Sequence, residues 1–327
     1  MKIAVIEKEH IVVKNADKIT LDGRKGAIVK VLGCGLCGSD IVKFREHISK
    51  DGTVLGHEIV AEIVEINSDT KFKTGEKIVT SHHIPCGTCD YCRHGNVSMC
   101  KHFKSTNIRP GGFSEYVYLS EEHLQNVAHP MPENLSEIEA SFYEPLGCCV
   151  RAVKRAKLMD GSKVLVVGLG SIGILMSQAL KAYGMNVMGC DLIQDRIERL
   201  QNLGIDAVDS RDLEQAELFD AVFMTSGADK AIDVALKTIK SGGTILVFSS
   251  TPHNTGYPNN EIYYRELTVI GSYSPAPVDL KDSLELLRTG KVNVKDLSTI
   301  YSLDDIQKAF DDTIANRIMK AYIKIKD

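Results

Sequence analysis

Cys86, Cys89, Cys92 and Cys100 fall within fifteen residues, spaced three, three and eight apart. Thiolates are soft donors, and one short lobe with this spacing can wrap four of them around a tetrahedral zinc ion. Such a site is closed and structural, because four protein ligands leave no position for a reactant. A thiolate tetrad can also hold an iron–sulfur cluster. A zinc ribbon that binds nucleic acid is a third reading, which the acidic balance of the chain does not support.

A second set is dispersed: Cys37 in Cys37-Gly38-Ser39-Asp40, His57-Glu58 after Gly56, and Glu144 in Glu144-Pro145-Leu146. One thiolate, one imidazole and one carboxylate with an open fourth position is the arrangement of a catalytic zinc. Spacing alone does not select these residues, since a lone Cys or His in an apolar stretch is usually just packed.

The third constellation is Gly168-Leu169-Gly170-Ser171-Ile172-Gly173, directly after the apolar run 164–167. In a GxGxxG turn the first glycine permits a tight bend and the second lets backbone approach a pyrophosphate. The third lets the helix pack on its strand. The helix start then offers free N–H groups and positive dipole to phosphates. Asp191 follows 18 residues after Gly173, where a carboxylate can accept hydrogen bonds from ribose hydroxyls. Leu192 and Ile193 come next, with no adjacent basic residue to hold a 2′-phosphate, so NAD is favoured over NADP.

These residues need two kinds of scaffold. Up to about residue 140 the chain reads as short strands broken by Gly, Pro and Asn turns, clearest at 27–31, 59–66, 77–80 and 115–119. From about 150 strands and helices alternate: strands at 164–167, 187–190, 221–225, 244–248 and 267–270, helices at 172–183, 196–203 and 231–239. That alternation implies βαβ units and a parallel sheet. Helices near 283–288 and 304–315 and a strand at 321–325 follow. A chain of 327 residues is long enough for two domains.

The 43% hydrophobic and 25% charged residues are those of a soluble globular protein, and the net charge of -4 argues against nucleic-acid or membrane-surface binding. The apolar stretch 164–180 carries three glycines, two serines and a glutamine, which fits a buried strand and helix rather than a bilayer span. The first ten residues alternate apolar and charged and read as a strand, not a signal peptide. Nine cysteines without such a leader indicate a reducing, cytoplasmic setting in which clustered thiols bind metal.

Taken in order, Cys-Gly-Ser-Asp, Gly-His-Glu, the four-cysteine lobe, Glu-Pro-Leu and GxGxxG resemble the zinc-containing medium-chain dehydrogenases. The resemblance covers essentially the whole chain and is closest to the sorbitol, threonine and related polyol dehydrogenase branch. It implies an α/β protein with a partly open GroES-like β-barrel catalytic domain, 1–145 with 276–327 returning to it. A Rossmann doubly wound parallel-sheet domain, 146–275, is inserted between. It implies a catalytic zinc on Cys37, His57 and Glu144. Glu58 is a neighbour that can ligate zinc directly or through movement, and Ser39 relays the substrate proton. Cys86, Cys89, Cys92 and Cys100 become structural zinc ligands, and Gly168, Gly170, Ser171, Ile172, Gly173 and Asp191 bind NAD.

The implied reaction moves a hydride from a secondary alcohol of a polyol-like substrate to NAD, giving a ketone. Homodimers or homotetramers are implied through pairing between Rossmann sheets. An amino-alcohol dehydrogenase and a non-catalytic NAD-binding relative are the alternatives; retention of Cys37, His57 and Glu144 argues against the second. Several positions depart from the family. Only 20 residues separate Cys37 from His57, which trims a loop beside the substrate. Val42 stands where a relay histidine is common, and Ala61 replaces a usual Gly. A serine in Gly271-Ser272-Tyr273-Ser274 falls near the place of a substrate-side Arg, which puts sorbitol itself in doubt. His47, His82, His83 and His102 read as solvated loop histidines before metal ligands, Cys34, Cys148 and Cys149 as packed thiols, and Tyr116 and Tyr118 as strand residues first and substrate contacts second. Asp40 reads as a loop residue as readily as a substrate contact.

Overall fold

The computed structural model describes residues 1–213, 218–251 and 256–325. The chain divides into two compact units. The first comprises Met1–Pro145, Ala276–Arg288 and Val294–Asp327; the second comprises Leu146–Pro275 and Thr289–Asn293. The short return 289–293 joins the second unit through Gln178, whose side-chain amide donates to the Asn293 carbonyl (2.9 Å) and accepts from its N–H (2.7 Å).

In the first unit a seven-stranded sheet runs in the order Ser298–Ser302, Lys320–Lys324, Gly26–Gly35, Glu58–Asn67, Lys77–Thr80, Ala128–Pro130, with Tyr116–Ser120 also paired to Gly26–Gly35. Apart from the first pair, which is parallel, neighbours are antiparallel. Gly26–Gly35 is buried along nearly its whole length, as its apolar run Ala27, Ile28, Val29, Val31, Leu32 requires. Its register against Glu58–Asn67 shifts twice, between Ile28 and Val29 and between Val31 and Gly33, and such bulges bend a strand. Ile59, Ala61, Ile63, Ile78, Phe113 and Phe310 close the core around it. Lys2–Glu7 and His10–Asn15 form a separate hairpin.

The second unit is a six-stranded parallel sheet in the order Asp206–Asp209, Asn186–Asp191, Lys163–Val167, Phe219–Met224, Ile239–Val247, Thr268–Gly271. Numbered along the chain this is 3-2-1-4-5-6, the doubly wound order in which ligands bind at the switch between strands 1 and 4. Gly168 and Thr225 follow those two strands, and the Thr225 hydroxyl donates to the Gly168 carbonyl at 2.6 Å. The core is aliphatic, with Leu165, Val167, Val222, Met224, Ala235 and Ile245 at its centre. The edge strand Asp206–Asp209 is absent from the sequence reading because only two of its four residues are apolar. Among the described residues, no helix is long and apolar enough to cross a membrane.

Candidate active site

Cys37 caps the helix Gly38–Arg45. Its Sγ accepts from the Ser39 N–H at 3.5 Å, and Asp40 returns a carboxylate to the Cys37 N–H at 3.3 Å. A helix start at this point fixes the thiol and places Ser39, exposed, beside it. His57 ends the approach to Glu58–Asn67, and Gly56 before it takes a φ of +88°. One Sγ, one ring nitrogen and one carboxylate oxygen from Cys37, His57 and Glu58 lie within 4.8 Å of one another. A second group with the same spread contains His57, His82 and Glu144. Thus His57 is common to both groups, Glu58 accompanies Cys37, and Glu144, in the first turn of Tyr143–Ala156, accompanies His82.

Three residues that spacing did not single out support this cluster. Asp40 is fully buried and lies 3.5 Å from His57 Nδ1. Burial pushes its carboxyl up, but the neighbouring His57 outweighs that and holds it below the ordinary value. An imidazole gripped at Nδ1 presents Nε2 to a metal, which is how ligating histidines are usually oriented. Lys320 forms a buried ion pair with Glu58. Burial alone would lower the lysine's pKa; Glu58 and then Cys37 raise it above the usual value. Gly35 makes room for the pair, since a Cβ there would fall 2.0 Å from Glu58 Oε2. Glu58 Oε1 is buried without a hydrogen-bond partner, a carboxylate oxygen with capacity for a cation.

The third residue, His82, corrects the expectation of a solvated loop histidine, for it is buried. The strand Lys77–Thr80 leads into it, its ring centroid lies 4.5 Å from that of His57, and the His83 ring is tilted against it at 3.9 Å. His83 is half-buried, and its Nδ1 hydrogen-bonds the Thr106 carbonyl. His102 is helical, within Lys101–Ser105, and pairs with Glu122 at 2.8 Å. His47 is exposed. Cys34 and Cys149 are buried, and Tyr116 and Tyr118 lie in a strand.

The four-cysteine lobe converges as the spacing requires: one Sγ from each of Cys86, Cys89, Cys92 and Cys100 lies within 4.8 Å of the others. Cys86 Sγ accepts from the Cys89 N–H at 3.3 Å, and Cys100 Sγ from the Cys86 N–H at 3.5 Å. Backbone donors from Thr88 and Cys89 bring the Cys86 thiol down to about 5, while burial takes Cys92 up to about 12. A set of four thiols gathered around one point, with backbone N–H groups stabilising thiolate, fits a zinc ion.

In the second unit Gly168 takes a φ of +94°, which permits the turn out of its strand. A Cβ at Gly173 would meet the Gly168 carbonyl oxygen at 1.9 Å, whereas nothing lies within 4 Å of one at Gly170. The floor of the turn is therefore closed and its mouth open. The helix Ser171–Ala182 begins at Gly170 with no side-chain cap, so the N–H groups at Ser171, Ile172 and Gly173 remain available to a phosphate. Asp191 accepts from Leu169 N–H (2.6 Å), Leu192 N–H (2.7 Å) and Ile193 N–H (3.0 Å). Arg196 stands 3.6 Å from the same carboxylate. No basic residue adjoins Asp191 in sequence; the following helix brings one beside it.

The described geometry agrees with known proteins. Residues 23–132 match the model of the alcohol dehydrogenase GroES-like domain, and residues 171–289 that of zinc-binding dehydrogenases. A sorbitol dehydrogenase of Halalkalibacterium halodurans is 32% identical over 307 residues, covering 88% of each chain. Sorbitol dehydrogenase 2 of Saccharomyces cerevisiae is 32% identical over 86% of this chain and 85% of its own. Among solved structures, an Escherichia coli oxidoreductase/dehydrogenase of unknown specificity superposes with a TM-score of 0.89 at 25% identity, covering 100% of this chain and 99% of its own. The first unit thus carries a GroES-like domain and the second a Rossmann sheet, and the chain belongs to the zinc-containing medium-chain dehydrogenases, in their polyol branch.

Proposed function

We propose that the protein oxidises a secondary alcohol of a polyol or polyol derivative to a ketone, with zinc and NAD as cofactors. The observation that carries this reading is the convergence of Cys37, His57 and Glu58 on one point within a family of zinc-dependent dehydrogenases. The sorbitol dehydrogenases among its relatives support the substrate class. The first unit is taken as the catalytic domain and the second as the dinucleotide-binding domain.

Cys37 and His57 hold the catalytic zinc, with a carboxylate from Glu58 or Glu144 completing the set. When bound, the ion supplies Lewis acidity to a substrate hydroxyl, and the nicotinamide accepts the carbinol hydride. Asp40 keeps His57 in the ligating tautomer. Lys320 balances the charge of Glu58. Ser39, exposed beside Cys37, takes the hydroxyl proton and passes it towards solvent. Gly168, Gly170 and Gly173 cradle the pyrophosphate with Ser171 and Ile172, and Asp191 receives the ribose. Cys86, Cys89, Cys92 and Cys100 hold a structural zinc. A cytoplasmic homodimer or homotetramer without nucleic-acid or membrane partners completes the proposal.

The test is NADH formation by zinc-loaded protein across polyols, cyclitols, amino alcohols and polyol phosphates. Turnover of polyols that a chelator abolishes supports the reading. Turnover confined to amino alcohols would reassign the substrate, and no turnover of any class would overturn it.

A further inference from the structure

His82 has a feature that the metal cluster does not account for. It is only 8% exposed, and its Nδ1 is buried without a hydrogen-bond partner. Its backbone is held, because its carbonyl accepts from His123 Nε2 at 3.1 Å. Among the described residues, no hydrogen bond reaches its ring. Buried polar atoms are almost always paired, and one left open in a folded protein calls for a specific explanation, a role at a binding or catalytic site among them.

The position of the ring says where a partner would sit. One ring nitrogen lies within 4.8 Å of ligand atoms of both His57 and Glu144. Metal-bound histidines normally donate their second N–H to a carboxylate or carbonyl. His57 has Asp40 for this, and His82 has nothing equivalent. A further protein donor would also close the coordination position that a catalytic zinc keeps for its reactant. A ring that borders the ion's site from outside its ligand set would face the reactant.

We propose that His82 is a specificity-determining residue whose ring hydrogen-bonds a second substrate hydroxyl, next to the one oxidised. This rests on the polyol-dehydrogenase reading above. A neutral imidazole carries one donor and one acceptor, so it pairs with a hydroxyl in either sense. A site built around such a hydrogen bond disfavours an analogue that lacks the hydroxyl, because the buried ring nitrogen is then left unpaired.

The holoenzyme tests this with (2R,3R)-butanediol and 2-butanol, which differ by that single hydroxyl. His82→Phe keeps a ring in the stack, and His82→Asn restores a polar atom. The ratio of kcat/KM for the diol to that for the mono-alcohol should fall about 10- to 100-fold in His82→Phe and recover in part in His82→Asn. Calorimetry of diol binding to the zinc- and NADH-loaded protein should show the same order of weakening. An unchanged ratio and unchanged diol affinity would overturn the proposal, and so would loss of zinc from both variants, which would make His82 a ligand. If the unaltered enzyme turns over neither alcohol, the functional reading fails, and the calorimetric comparison still decides the role of His82.

Discussion

Lys320 and Glu58 form an ion pair in which the side chains are 5% and 1% exposed. Removing one member of such a pair leaves an uncompensated buried charge. Lys320→Met should destabilise the zinc-free protein by about 3–5 kcal/mol. With zinc bound the loss should be smaller, because a cation beside Glu58 replaces the missing ammonium. Urea unfolding with and without chelator measures both values, and equal losses would place Glu58 away from the metal.

Two carboxylates flank His57, one grouped with Cys37 and the other with His82. Cys37→Ala should abolish turnover and release the catalytic zinc while the four-cysteine lobe stays loaded. Zinc titration of Glu58→Gln and Glu144→Gln identifies the direct ligand, whose loss should weaken affinity about 10- to 100-fold or more. Ser39→Ala should retain both ions and slow turnover about 10²-fold, the low end for a lost proton relay. An unchanged rate would reject the relay role.

The two later glycines of the dinucleotide turn separate stability from binding. At Gly173 an added methyl would collide with the Gly168 carbonyl at 1.9 Å, so Gly173→Ala should cost about 1–3 kcal/mol of stability. At Gly170 the methyl meets nothing within 4 Å. Gly170→Ala should melt within a few degrees of the parent yet bind NAD more weakly. Thermal melts beside NADH fluorescence titration check the pair, and an undiminished affinity for Gly170→Ala would move the pyrophosphate elsewhere.

Burial, set against a backbone hydrogen bond, lowers the His83 pKa from 6.5 to about 4. The unfolded chain then takes up a proton that the folded chain refuses. The stabilising contribution is fully present above about 6.5 and is lost as the pH falls through about 4. It amounts to at most ~3 kcal/mol. His82 and His123 are shifted in the same direction, chiefly by burial. His83→Phe should flatten the acid limb of the stability profile, and an identical limb in the variant would remove His83 from that account.

Legibility in the sequence followed how local each feature is. The cysteine lobe and the glycine turn are contiguous, and their chemistry is visible in the spacing. The parallel sheet was readable from alternation between apolar strands and helix-length segments. Lys320 was not readable, because a lysine at the start of a strand signals solvent until its distant partner is known. His82 was hidden for a related reason: two adjacent histidines before a cysteine lobe look polar, and only the approach of His57 buries one. Arg196 reaches Asp191 from the following helix, a proximity that five residues of separation conceal.

The pairing of Lys320–Lys324 with Gly26–Gly35 also orders events during synthesis. Lys320 and Leu36, which it hydrogen-bonds, lie 284 residues apart. Cys37, His57 and Glu58 therefore leave the ribosome long before the lysine that neutralises Glu58 exists. Over that interval the carboxylate lacks the ammonium that pairs with it in the finished fold. The continuous stretch Leu146–Pro275 is complete while the first sheet still lacks this strand, and domains generally fold as units in the order they emerge. Closure of the first sheet around Glu58 thus waits for one of the last strands of the chain to emerge.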